Sequence, residues 1–144
     1  DRSRDRLDGV LSALGTTETQ LGSRRLKEAP YNIGQAKDAV LDLMRTQRPT
    51  ALVCGNDIIA QGAIYAGQKL DLRIPDDISI IGIGDFRGSA HMEPGLTTLR
   101  IPARQIGETA ADALCRDDGK LTGKRPFSVR IPTVLMERGS VGVV

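Results

Sequence analysis

Three stretches decide the fold: T-A-L-V-C-G-N-D at residues 50–57, R-I-P-D-D-I-S-I-I-G at 73–82 and P-G-L-T-T-L at 94–99. The first two join an apolar run of strand length to a polar turn, and the interval between them is long enough for one helix. A buried strand such as Ala51 to Cys54 binds nothing along its length, but the residues just beyond its carboxyl end are free to face a crevice. Asn56, Asp57 and Asp85 stand at such ends.

Working outward, Arg2 to Leu14 carries apolar residues at Leu7, Val10, Leu11 and Leu14, a helical spacing that Gly15 closes. Gln20 to Lys27 reads as a short strand leading through Pro30 and Tyr31 into a helix over Gly34 to Arg45. Ala36, Val40, Leu41 and Met44 form the inner face of that helix, and Pro49 ends the element. Thr50 to Cys54 is a buried strand, Asp57 to Leu70 a helix and Ile78 to Ile83 a second buried strand. Gly84 to Thr97 has no helical period and reads as a functional loop. A helix over Pro102 to Cys115, a polar turn over Asp117 to Pro126, and strands at Phe127 to Ile131 and Val134 to Met136 complete the chain. The alternation predicts an α/β fold, a parallel sheet with helices on both faces and binding at its carboxyl edge.

Composition narrows the function classes. A chain of 144 residues suits one domain that buries roughly 70% of its unfolded surface. Aromatics make up 3% and Trp is absent, which excludes a ligand cage of several rings. Acidic and basic residues are interspersed and the formal charge is +2, too balanced for a phosphate-backbone footprint, so nucleic acid is not expected as a direct partner of this segment. Cys54 and Cys115 lack C-x-x-C spacing and have a single His for company. No metal site is expected, and both thiols read as reduced packing residues. There is neither a run of 18 apolar residues nor a basic-then-apolar leader, so neither a membrane span nor a signal peptide is expected. Asp1 in place of Met suggests a processed or truncated product.

Catalysis finds little footing. His91 is the sole imidazole and has no Ser or Cys in a nucleophile context. The stretch G-I-G-D-F-R-G at 82–88 imitates a dinucleotide fingerprint, but Arg87 stands where the third Gly is required. No cofactor and no enzymatic activity are expected.

Five blocks occur in one order: R-x-x-G at 6–9, A-L-V-C-G-N-D-I-I-A-Q-G-A at 51–63, L-R-I-P-D-D-I-S-I-I-G-I-G-D at 72–85, P-G-L-T-T-L-R at 94–100 and M-E-R-G-S at 136–140. Together they resemble the effector-binding domain of the lactose-repressor/galactose-repressor family of bacterial transcription regulators. The resemblance implies a periplasmic-binding-protein-like lobe. Residues 1–97 would form the C-terminal lobe of a two-lobed core, 98–126 would return to the other lobe and 127–144 would supply closing strands. The family's DNA-binding domain, N-terminal to such a core, is not in this chain. A cytoplasmic homodimer is implied, with operator DNA as partner through that missing domain and a small polar effector, a sugar or sugar derivative, as ligand. The runner-up is the solute-binding protein of a sugar transporter with the same fold.

The resemblance also assigns roles. Arg6 matches a cleft arginine whose donors grip hydroxyls or a carboxylate; its plain alternative is a solvated helix residue. Asn56 and Asp57 match a binding pair, while helix N-capping explains the same residues, and the two readings can coexist. Tyr31 matches an aromatic placed against the ligand, with surface packing as the alternative. Arg2, one turn before Arg6, is a further candidate. At residues 83–85 the family usually has an aromatic and two acids, whereas this chain has Ile83, Gly84 and Asp85. Either Asp85 takes over the acceptor role, another residue does, or the ligand is not a typical monosaccharide. The implied dimer surface comprises Gln61, Ile64, Tyr65 and the region around Ala90 to Met92.

Overall fold

A computed structural model describes residues 2–115 and 128–142, with the side chain of Cys115 left out. The order is α1 (Arg2–Ala13), α2 (Glu18–Leu21), a 3-10 turn (Ser23–Arg25), α3 (Ile33–Thr46), β1 (Ala51–Val53), α4 (Asp57–Lys69), β2 (Ser79–Gly84), a second 3-10 turn (Ser89–His91), β3 (Thr97–Arg100), α5 (Ala103–Cys115) and β4 (Val134–Met136). The four strands lie side by side in sequence order. β1, β2 and β3 run parallel, with Leu52 beside Ile80 and Ile81 beside Thr97. β4 returns antiparallel to β3, with Leu135 opposite Leu99, the one departure from the expected parallel sheet.

Side-chain alternation along β2 sets the layers. Ile78, Ile80 and Gly82 are buried towards α4, whereas Ser79, Ile81 and Ile83 are half-buried. One core therefore forms between the sheet and α4, with Val40 of α3, Cys54, Ala60, Ala63, Ile64, Ala66, Ile78, Ile80 and Leu96 as its members. The small residues of α4 let α3 and the sheet approach closely from two sides: Ala36, Ala60 and Ala66 are 0% exposed.

Three expectations are corrected. The strand proposed over Gln20 to Lys27 is instead the end of α2 and the first 3-10 turn. A local capping box wins there: Gln20 N–H donates to Thr17 Oγ1 at 3.3 Å and Thr17 N–H donates to Gln20 Oε1 at 3.0 Å. β1 is not buried throughout, because it is the edge strand and leaves Val53 56% exposed. Of the strand expected over Phe127 to Ile131, residues 128–131 pair with nothing in the sheet. Phe127 and the turn expected over Asp117 to Pro126 lie outside the described residues.

Candidate functional site

The turn from β1 into α4 is organised by two neighbours with opposite tasks. Asn56 is extended, and its Oδ1 accepts the Ile59 N–H at 2.9 Å, capping α4. Asp57, 1% exposed, turns inward. Its Oδ1 accepts from the Thr98 hydroxyl at 2.6 Å, and its Oδ2 accepts from the Ser89 hydroxyl at 2.6 Å and the Phe86 N–H at 2.9 Å. One carboxylate thus holds α4, the post-β2 loop and β3 together. Gly82 makes room for it, since a Cβ there would stand 2.3 Å from Asp57 Oδ1. The reading of Asp57 as a ligand contact is corrected on this ground: its oxygens are enclosed and occupied. Beside it, burial and then the Asp57 charge push the Cys54 thiol up to about 12, as expected of a packing residue.

Above this bracket lies a rim. An Arg6 terminal nitrogen donates to the Gly55 carbonyl at 2.6 Å, drawing α1 onto the β1–α4 turn. Tyr31 is 60% exposed, and its hydroxyl lies 3.3 Å from Ser3 Oγ, so the segment before α3 joins the same helix. Arg2 is exposed on α1, one turn before Arg6. Arg6 thus meets the backbone next to Asn56, Tyr31 meets Ser3 on the same helix, and Arg2 lies on that helix as well.

Asp85 sits at the end of β2, tied to this turn through its neighbour Phe86, but its carboxylate is engaged. Arg100 Nε donates to Oδ2 and an Arg138 terminal nitrogen donates to Oδ1, each at 2.6 Å. Burial pushes the carboxyl upward, but the hydrogen bonds and charges of Arg138 and Arg100 outweigh it and hold the group below the usual carboxylate range. Of the three alternatives for the missing acceptor, the one that rests on Asp85 meets a carboxylate whose two oxygens both fasten the chain to itself. Arg138 also donates through its other terminal nitrogen to the Leu96 carbonyl at 2.6 Å. Ser140, 0% exposed, accepts from Thr97 N–H at 2.8 Å and donates to the Ile80 carbonyl at 2.6 Å. Sequence reasoning gave Arg138, Ser140, Ser89 and Thr98 no role. For Arg138 and Ser140 the one signal was the compact M-E-R-G-S block, an arginine and a serine closely spaced after a short strand, and Thr98 lay in the P-G-L-T-T-L-R block.

Gly84 has φ +140, a conformation that disfavours a side chain. A Cβ there would stand 2.4 Å from Cε1 of Phe86, so the Phe86 ring fills the space a residue-84 side chain would enter. Phe86 is 44% exposed. Its position, close behind the second apolar run, was the one mark the sequence carried.

Of the residues assigned to a dimer surface, Ile64 is corrected: at 1% exposed it belongs to the core, since it shares the inner face of α4 with Ala60 and Ala63. Met92 packs partly against the same core. Gln61 and Tyr65 remain at the surface, where the Gln61 amide donates to the Tyr65 hydroxyl at 3.1 Å. Two surface crevices, of about 510 and 400 Å³, lie by Lys27 and Asp42 and by Arg48 and Leu70, away from the strand carboxyl ends. Among the described residues, no group of three or more His, Cys, Asp or Glu is placed to hold a metal, and no helix is long and apolar enough to cross a membrane.

Over residues 1–141 the sequence matches the family described as the periplasmic binding protein-like domain. It is 42% identical over 139 residues to an HTH-type transcriptional repressor PurR of Yersinia enterocolitica, covering 94% of this chain and 40% of the repressor. The crystal structure of transcription regulator GntR from Chromobacterium violaceum superposes with a TM-score of 0.81 at 30% identity, over 97% of this chain and 52% of that one. A LacI family transcriptional regulator from Enterococcus faecalis with bound ribose superposes with a TM-score of 0.79 at 27% identity, over 96% and 49% of the two chains. The chain spans less than half the length of the curated relatives it matches.

Proposed function

We propose, for a chain that belongs to the periplasmic binding protein-like domain family and within it to the effector-binding domains of lactose-repressor/galactose-repressor regulators, that the rim around Arg6 is where a small polar effector binds to control transcription. The observation that carries this is the 2.6 Å hydrogen bond from Arg6 to the Gly55 carbonyl, which gathers α1, the β1–α4 turn and, through Ser3, Tyr31 at one edge. Asn56 is held there by its cap. Open α/β sheets place ligands at this edge because helix N-termini and strand-end loops present their polar groups there.

The rim is one wall of a cleft. In this reading the chain leaves the first lobe after β3, α5 belongs to the segment that crosses to a second lobe, and β4 returns to the sheet of the first. The apolar face of α5 supports that placement: Ile106 is 43% and Leu114 is 70% exposed, so among the described residues nothing covers them. Effector binding across the two lobes shifts their alignment and thereby the spacing of DNA-binding heads on operator half-sites, a coupling of about 1–3 kcal/mol. Gln61 and Tyr65 on α4 form part of a homodimer surface, and the regulator works in the cytoplasm, where its DNA is.

The Yersinia relative, a repressor, favours regulation over solute transport. The ribose-bound neighbour lends weight to a sugar effector, whereas the engaged state of Asp57 and Asp85 weighs against one. A thermal-shift screen of the full-length protein with sugars, sugar phosphates and nucleosides, followed by operator-binding anisotropy, tests the reading. The expected hit raises the melting temperature and changes operator affinity. A hit that stabilises the protein without altering DNA binding contradicts regulation.

A further inference from the structure

Among Arg2, Arg6, Asn56, Asp57 and Asp85, the charged and amide groups left available are donors. Asn56 is 6% exposed and its Oδ1 is used by the α4 cap. Its Nδ2 has no partner among the described residues, and since no buried side-chain nitrogen or oxygen lacks one, that amide must reach the surface. Arg6 uses one of its five N–H groups on Gly55 and keeps the others, and Arg2 is exposed nearby. The acceptors are engaged: Asp57 holds three internal donors, Asp85 holds two arginines, and the Gly55 carbonyl holds Arg6. Beside Gly84, where no side chain projects, the half-exposed ring of Phe86 stands.

These groups suit an acceptor-rich ligand with a flat body. A neutral sugar offers hydroxyl protons that need acceptors, and each one buried without a partner weakens binding. A carboxylate has no proton to satisfy, accepts from a guanidinium fork and an amide together, and can carry a ring to stack on a phenyl face. We infer that the rim selects a small planar carboxylate, an aromatic or heteroaromatic acid, whose charged end meets Arg6 and Asn56 Nδ2 and whose ring lies against Phe86. This rests on the effector-binding reading of the same rim and names the class of molecule it takes.

The test is calorimetric titration of the full-length protein with benzoate and nicotinate, with benzamide as the neutral isostere, and with ribose and galactose. The expected result is saturable binding of the two acids, at least about tenfold weaker binding of benzamide, and no heat from the sugars. Arg6→Ala is expected to erase the preference for acid over amide. Phe86→Leu, which keeps the apolar volume, is expected to weaken all planar probes alike. Tighter binding of ribose or galactose than of the acids, lost in Arg6→Ala, overturns the planar-acid inference and leaves the effector site standing. Acid binding that Arg6→Ala does not change overturns both. Heat from none of the probes overturns the planar-acid inference, while the broader screen then decides the effector reading.

Discussion

Asn56 and Asp57 are adjacent in sequence and belong to different parts of the molecule. Asp57 is a buried carboxylate whose three donors come from the post-β2 loop and β3, so it holds the strand ends in register. Asn56 and, beyond it, Arg6 form an outer layer in which donors outnumber partners. One residue step thus separates a group that stabilises the edge from groups that have capacity left for a guest. Substitutions in the two layers should therefore separate stability from binding.

Asp57→Ala strikes hardest at this contrast. It strands two hydroxyls and a backbone N–H in a buried space, a loss of about 3–6 kcal/mol. Urea denaturation should record a large fall in the midpoint or failure to fold, against total stabilities of about 5–15 kcal/mol for domains of this kind. A near-normal midpoint would mean the inner layer is not the fastener described.

Arg138→Met comes next, at about 2–3 kcal/mol, because Arg100 still compensates part of the Asp85 charge. The pH dependence has a definite sign. Asp85 is held below its unfolded value, so its contribution is complete above the unfolded pKa of about 3.9 and is lost as pH falls from there through the lower folded value. Wild-type stability should decline more steeply than that of Arg138→Met below about pH 4, and parallel acid limbs would contradict the assignment.

Cys54 offers a smaller, chemical readout of the inner layer. With its thiol pushed up to about 12 by burial and the Asp57 charge, it should resist Ellman's reagent at pH 8 in a Cys115→Ser background and react only on denaturation. Labelling at the rate of a free thiol would show that the bracket opens readily.

Much of the inner layer was legible as pattern without purpose. The β-α-β rhythm came from apolar runs of the right length, and the strands at 51–53, 79–84 and 134–136 fall where those runs lie. The direction of β4 was not legible, because an isolated V-L-M carries no mark of its partner strand. Segment 20–27 misled because its polar residues obey a local capping box and have no tertiary partner strand to override it. Asp57 and Asp85 were recognised as strand-end acids, but sequence offers no view of which donors surround a carboxylate. Their engagement depends on Ser89, Thr98 and Arg138, 32, 41 and 53 residues away from the acids they meet. Arg6 and Tyr31 were legible only through the family resemblance, and their convergence on one helix required the folded chain.

The outer layer is tested most directly at Arg6. Calorimetric titration of the ligand that emerges from the thermal-shift screen into wild type and Arg6→Ala, with urea denaturation of both proteins in parallel, measures binding and stability at one residue. The account predicts about a ten- to hundredfold weaker Kd with stability changed by less than about 1 kcal/mol. An unchanged Kd, or a loss of affinity matched by a collapse in stability, would contradict it.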